Sequence, residues 1–356
     1  KVIANVSFVP GVPTGFDDHG HGTHVAGIAA GTGGPSHTYM GVAPGAQLYA
    51  VKVLDSTGSG QWSWVVAGIE WAVENNADII TMSLGDDEGY PYDPVSIASD
   101  AAVDAGIVVT VAAGNTPYYG AILSPGLATK VITVGATTKD DKIASFSSKG
   151  PNTYDYRGDP DVVAPGVGIM SADAWNMAGY VPMSGTSMAT PHVAGGAALL
   201  LEAFVNATPN LVASALMASA VDIGYDSYTQ GAGRIDVLGA YNLAGMFSAV
   251  LPNELEVCTF TGFGPFTNHP MAWVNLTIIT PTLMPDVEIR LTGNLSRVIS
   301  FVDSPNVGDV DGWAYLAFEV YASGDPNSTY TGFMEILSIG LVANKLPITV
   351  NVEWNP

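Results

Sequence analysis

Two short segments set reactive side chains among small residues. Segment 17–27 reads DDHGHGTHVAG and segment 183–196 reads MSGTSMATPHVAGG. Each is a glycine-flanked turn running into a helix of small residues. In the second, Gly185 allows a sharp turn before Ser187, which then falls at a helix N-terminus. Free N–H groups and the helix dipole favour negative charge there. A hydroxyl so placed suits a nucleophile, because an oxyanion forming beside Ser187 would be stabilised by its backbone N–H. Pro191 is tolerable in the first turn, where its missing N–H matters least. His21 also precedes a small-residue helix, which would hold its imidazole on rigid backbone. A His or Ser taken alone is nearly always structural; the whole segments are far more specific.

Several elements must hold these segments. Residues 47–53, 78–84, 106–113 and 130–136 are short runs rich in Val and Ile, each ending in Gly or a polar turn. Between them, 62–77 and 94–105 read as helices. Strands alternating with helices imply a parallel sheet covered on both faces, with ligands at the carboxyl ends of the strands. Further helices are expected over 187–202, 209–220 and 236–244. From about residue 248 the texture changes to period-two alternation, as in VNLTIIT and LPITVNVEW, punctuated by Gly, Pro, Asn and Asp. The expectation is an α/β domain over 1–247 and an antiparallel β-sandwich over 248–356.

GHGTHVAG (20–27) and SGTSMATPHVAG (184–195) resemble the two hallmark motifs of the subtilisin-like serine peptidases. The resemblance continues through 51–85, VVTVAAGN (108–115), SFSSKGP (145–151), DVVAPG (161–166) and QGAGRIDVLGA (230–240), and covers essentially residues 1–245. It implies a subtilisin-like fold and a serine endopeptidase of broad specificity acting on polypeptides. It implies that His21 is the general base, that Ser187 forms the acyl-enzyme, and that Asn115 donates to the oxyanion. Gly58, Ser59 and Gly60, with Ser83, Leu84 and Gly85, match two edge segments between which substrate pairs as a strand. Ala113 and Gly114 match the wall of the pocket for the residue before the cleaved bond. Trp62, Val65 and Leu84 match a more distant apolar subsite, and would serve nearly as well as plain core residues. His24 and His192 are structural helix residues on either view. His19, His37 and His269 read as surface residues. Met188 follows Ser187, so peroxide should impair activity through its sulfoxide.

The family's order is Asp, His, Ser, with the Asp ending a central strand about thirty residues before the His. Only twenty residues precede His21 here. Asp17 and Asp18 lie in the loop leading to it, and Asp55 lies beyond it; none takes the Asp position. Without that strand, its neighbours would bury rows of unpaired backbone groups, at about 1–3 kcal/mol each. The expectation is therefore an upstream segment or separate chain that carries the Asp. The competing reading is an inactive subtilisin-like scaffold or surface-assembly protein with the β-domain as its interface.

Composition narrows the partners. Thirty-three acidic residues face eleven basic ones, for a net charge of −22, and none is basic between Lys52 and Lys130. That argues against nucleic acid, whose phosphates need clustered Lys and Arg. Charged residues are only 12% of the chain, which suits a secreted or cell-surface protein, and the acidic excess would suit an acidic medium. The lone Cys258 permits no internal disulfide and reads as a small apolar residue. No apolar run reaches membrane-spanning length. Sequons at Asn5, Asn206, Asn275, Asn294 and Asn327 hint at glycosylation. The chemistry requires no cofactor or metal. Many relatives bind calcium, but TGGPSHTYM, between the His helix and GVAPG, lacks carboxylates. DVDGW (309–313) has the spacing of a calcium loop, though a polar turn explains it better; the acidity of the chain leaves room for structural calcium elsewhere. The family resemblance also leaves room for a propeptide.

Overall fold

The structure, a computed structural model, describes residues 1–86, 89–151, 159–176, 179–205 and 207–248, and beyond them the strands between Leu255 and Val352. The chain divides into two compact units, Lys1–Tyr241 and Asn242–Pro356.

The first unit runs β1 (Val2–Ser7), α1 (His21–Ala30), β2 (Leu48–Lys52), α2 (Trp62–Glu74), β3 (Ile79–Met82), α3 (Pro94–Asp104) and β4 (Val108–Ala112). It continues through β5 (Ile132–Thr137), β6 (Val162–Pro165), β7 (Ile169–Ala172), β8 (Tyr180–Met183), α4 (Thr186–Ala203), α5 (Pro209–Ala218) and α6 (Ser227–Gln230). The helix α7 follows at Val237–Ser248. Two helices start at Pro, behind a capping side chain. Asp93 accepts from the amides of Val95 and Ser96 at 2.9 and 2.8 Å, and Thr208 accepts from Leu211 at 3.2 Å. The helix expected over 62–77 stops at Glu74, and Asn76 turns the chain with φ +54°.

Strands β3, β4, β5 and β6 form a parallel sheet in that order, with Ile79 beside Val108 and Val134 beside Val162. Every residue of β4 and β5 is buried, as expected of strands covered on both faces. Ile80, Met82, Val109 and Val111 pack with Val65, Ile69 and Ala72 of α2 and Val95, Ala102 and Val103 of α3. Helix α4 contacts all four strands but adds nothing to that cluster, so it covers the opposite face. Helix α1 packs on α4. The fit is close: a Cβ on Gly195 would stand 2.5 Å from the Cβ of Val42, and one on Gly27 would meet the Ser171 hydroxyl.

The sheet is not continuous. Strand β2 pairs in parallel with β1, Asn5 beside Ala50, as a separate two-stranded sheet. In the described ladders β2 has no partner but β1, and β3 none but β4. Helix α2 spans the two pieces. Its Gly68 faces Val51 and Val53 of the β2 segment, while its Val65 and Ile69 sit in the β3–β4 cluster. The last two strands of this unit, β7 and β8, form an antiparallel hairpin.

The second unit contains β9 (Leu255–Cys258), β10 (Met271–Thr280), β11 (Val287–Leu291), β12 (Ile299–Phe301), β13 (Asn306–Val310), β14 (Trp313–Ser323), β15 (Ser328–Ser338) and β16 (Leu341–Val352). One sheet has the order β10-β14-β12, with β13 also on β14; the other is β11-β15-β16-β9. The pairs are antiparallel except β9 with β16, which is parallel and departs from the purely antiparallel expectation. Asn206, Asn294, Asn327, His269 and the centre of DVDGW lie outside the described residues.

Candidate active site

Helix α4 opens at Thr186 and carries Ser187, half-buried, as its second residue. Helix α1 opens on His21. The two helices share one cluster: Val25 and Ile28 of α1 pack with Met188, which is 1% exposed, and with Ile169. The start of α1 has no cap from Gly20. Asp17 supplies it from three residues upstream, accepting from the amides of Gly20 (2.7 Å), His19 (3.1 Å) and Thr23 (2.6 Å). Those bonds hold the Asp17 carboxyl below its usual pKa despite the opposing effect of burial. Asp18 pairs with the largely buried Lys52 at 2.6 Å, tying the same loop to β2.

Asn115 follows β4 and reaches the N-terminus of α4. Its Oδ1 accepts from the Thr186 amide at 2.9 Å and from the Thr186 hydroxyl at 3.1 Å. A backbone N–H can only donate, so the Asn115 oxygen must face Thr186 and the NH₂ end turns away from it. The Thr186 hydroxyl in turn accepts from the Gly114 amide at 3.3 Å. Ser83 links the other side: its hydroxyl donates to the Ser187 carbonyl at 2.8 Å, and Ser187 Oγ lies 3.5 Å from the Ser83 carbonyl oxygen.

The expected binding residues fall into three groups. Gly58, Ser59 and Gly60 are exposed on a loop organised by Asp55, whose Oδ1 accepts from Thr57 N (2.8 Å), Thr57 Oγ1 (2.6 Å) and Ser59 N (3.2 Å). Gly85 and Gly114 both stand against Leu123, and Ala113 is fully buried beside Ile122 and Leu127. Gly114 has φ +109°, and a Cβ there would lie 2.7 Å from Leu123 and from Ser148; only glycine fits. Trp62 and Leu84 are half-buried on the edge of the α2–α3 cluster, with the Trp62 indole donating to Asp86. Val65 is different: at 6% exposure it is core.

His24 and His192 lie within α1 and α4. The His24 ring is fully buried, and its Nε2 meets the carbonyls of Ile169 (3.0 Å) and Val181 (2.9 Å), clamping α1 to the β7–β8 hairpin. Both carbonyls only accept, so Nε2 carries the proton. His19 is exposed, as expected; it also lies 3.3 Å from where a Gly58 Cβ would be, and its ring is edge-on to His21 at 6.3 Å. Burial holds the His21 pKa below the ordinary imidazole value, and His19 and His24 push the same way against a pull from Asp17. The described hydrogen bonds give the His21 ring no carboxylate partner. Thr186 and Leu123 also escape sequence reasoning, because only the fold brings them to these positions. Among the described residues no group of three or more His, Cys, Asp or Glu side chains is arranged to hold a metal ion, and no helix is long and apolar enough to cross a membrane.

Comparison with known proteins gives the family. Subtilisin E of Bacillus subtilis (strain 168) is 45% identical over 244 residues, covering 67% of this chain and 61% of its own length. The chain therefore spans less than two thirds of that relative. Subtilisin DY of Bacillus licheniformis is 42% identical over 243 residues, covering 67% of this chain and 84% of its own. The crystal structure of a cold-adapted subtilisin-like serine proteinase superposes with a TM-score of 0.55 at 34% identity, covering 66% of this chain and 79% of that one. The model of the subtilase family matches residues 8–233, and the chain belongs to that family.

Proposed function

We propose that this protein is a serine endopeptidase that cleaves polypeptides through an acyl-enzyme on Ser187, outside the cell and with broad specificity. His21 takes the Ser187 proton as the oxygen attacks the scissile carbonyl, then returns it to the departing amine. The Asn115 NH₂ and the Ser187 N–H receive the oxyanion. Residues 58–60 and 83–85 pair with the acyl side of the substrate, and Gly85, Ala113, Gly114 and Leu123 surround the side chain before the bond. The observation that carries this reading is the locked amide: Thr186 holds the Asn115 oxygen and leaves its donor end free beside the start of α4. A fluorophosphonate probe tests it. Labelling of Ser187 in the wild type, lost in His21→Ala, is the expected result; a folded sample that takes no label would favour the inactive scaffold.

The orienting carboxylate comes, on this reading, from a strand supplied by an upstream segment or a separate chain. Among the described strands, β2 and β3 each pair on one side only, and α2 bridges them, which is the arrangement left when one strand is lifted from a parallel sheet. Intact-mass analysis of active material should find this additional polypeptide. Activity from residues 1–356 alone would overturn the assignment of the slot. The strands of the second unit belong to a β-sandwich whose role is attachment or stability.

A further inference from the structure

Two parts of the fold reach the residues just before His21. His19 stands beside Gly58. From between β7 and β8 comes Trp175. Its indole Nε1 lies 3.3 Å from where a Cβ on Gly20 would stand, with Ala174 at 3.7 Å, and Gly20 directly precedes His21. The Trp175 amide donates to Asp173 Oδ1 at 2.9 Å, and the Asp173 amide donates to the Gly179 carbonyl at 3.1 Å. Yet the Trp175 side chain is 69% exposed. A large rigid indole costs little entropy to immobilise and gains most when an apolar group covers it. Nothing in the acylation chemistry uses it.

We infer that Trp175 is a specificity-determining residue for the leaving side of the substrate, a platform for an apolar or aromatic side chain within two residues after the cleaved bond. This rests on the peptidase reading above. On that reading the acyl half is held by residues 58–60 and 83–85; Trp175 belongs to neither segment yet adjoins Gly20, next to His21, which leaves it the departing amine. The same surface receives an incoming amine when the acyl-enzyme is intercepted. The amine nitrogen forms the new C–N bond, the C–O bond to Ser187 breaks, and the amine proton passes through His21 to Ser187 Oγ.

Partitioning of the acyl-enzyme isolates this surface, because the acyl half is the same for every acceptor. The full-length protein would be acylated with a peptide ester, and transfer to Phe-amide, Gly-Phe-amide and Gly-Gly-amide compared with hydrolysis. The wild type should favour one or both aromatic acceptors over Gly-Gly-amide. In Trp175→Ala that preference should fall roughly three- to tenfold, the effect of losing one aromatic contact, and Trp175→Phe should restore most of it. Partition ratios unchanged in Trp175→Ala would overturn the assignment while leaving the peptidase reading intact. A wild type that neither cleaves the ester nor takes the fluorophosphonate label would overturn both.

Discussion

At the residue scale the proposed mechanism gives separable jobs. On it Asn115 supplies a donor, and Thr186, bonded to the Asn115 oxygen, aims it. Asn115→Leu should lower kcat about a hundred- to a thousandfold with little change in KM, the range already known for the matching donor of subtilisin. Thr186→Val keeps the backbone amide but removes the hydroxyl that bridges Asn115 and Gly114. It should lower kcat by a smaller factor, about tenfold, and steady-state kinetics on one peptide substrate separates the two variants. His19 acts through charge. A proton on His21 is disfavoured by burial first and by His19 next, so acid must go further to silence the base. Removing His19 relieves part of that penalty and raises the His21 pKa. The acid limb of kcat/KM in His19→Asn should therefore move toward higher pH than in the wild type; a limb that stays in place would show that His19 does not influence the base. Ser187 and His21 could be picked out from their glycine-flanked segments. His19, Thr186 and Trp175 could not, because their importance comes from neighbours 39, 71 and 155 positions away (Gly58, Asn115 and Gly20).

At the element scale the sequence says a good deal about position and less about pairing. The helices expected over 62–77, 94–105, 187–202 and 209–220 correspond to α2, α3, α4 and α5 within a few residues. Apolar spacing, Pro at the first turn and Asp or Thr before it give both face and start. The β7–β8 hairpin and β1 were not legible: β7 and β8 are only four residues each, β8 carries a Pro and no buried residue, and β1 buries none of its six. The hairpin matters because His24 fastens α1 to it. In His24→Phe the carbonyls of Ile169 and Val181 would lose their shared donor, and urea unfolding should show a loss of about 1–3 kcal/mol. The same ring sets a pH dependence. Burial lowers the folded-state pKa of His24, so the unfolded chain binds the proton first as pH falls. The stability His24 contributes is complete above the unfolded value of about 6.5 and declines below it.

For the whole molecule, charge is the dominant fact. A net charge of −22 on a chain with only eleven basic residues repels itself at neutral pH, and the described ion pairs, such as Asp18–Lys52, Asp104–Lys130 and Asp141–Arg234, offset little of it. Added salt should screen the repulsion and raise the Tm at pH 7; a Tm unmoved or lowered between low salt and half-molar NaCl would show that repulsion does not limit stability. The change to period-two alternation from about residue 248 is legible as a local pattern. Which strands would stand at the gap is not, because parallel order is set by crossovers that no local pattern records.

The crossing of α1 over its neighbours has one more consequence. At Gly195 even a methyl group would collide with Val42, and at Gly27 it would collide with Ser171. Neither glycine meets a reacting atom, yet neither site can accept any other side chain without moving a helix that carries Ser187 or His21. A saturation library selected for secretion and cleavage should therefore show two silent columns, one at each glycine, as empty as those at the reactive residues themselves. Such a library would rank residues by tolerance alone, and could not distinguish the joint from the tool it holds.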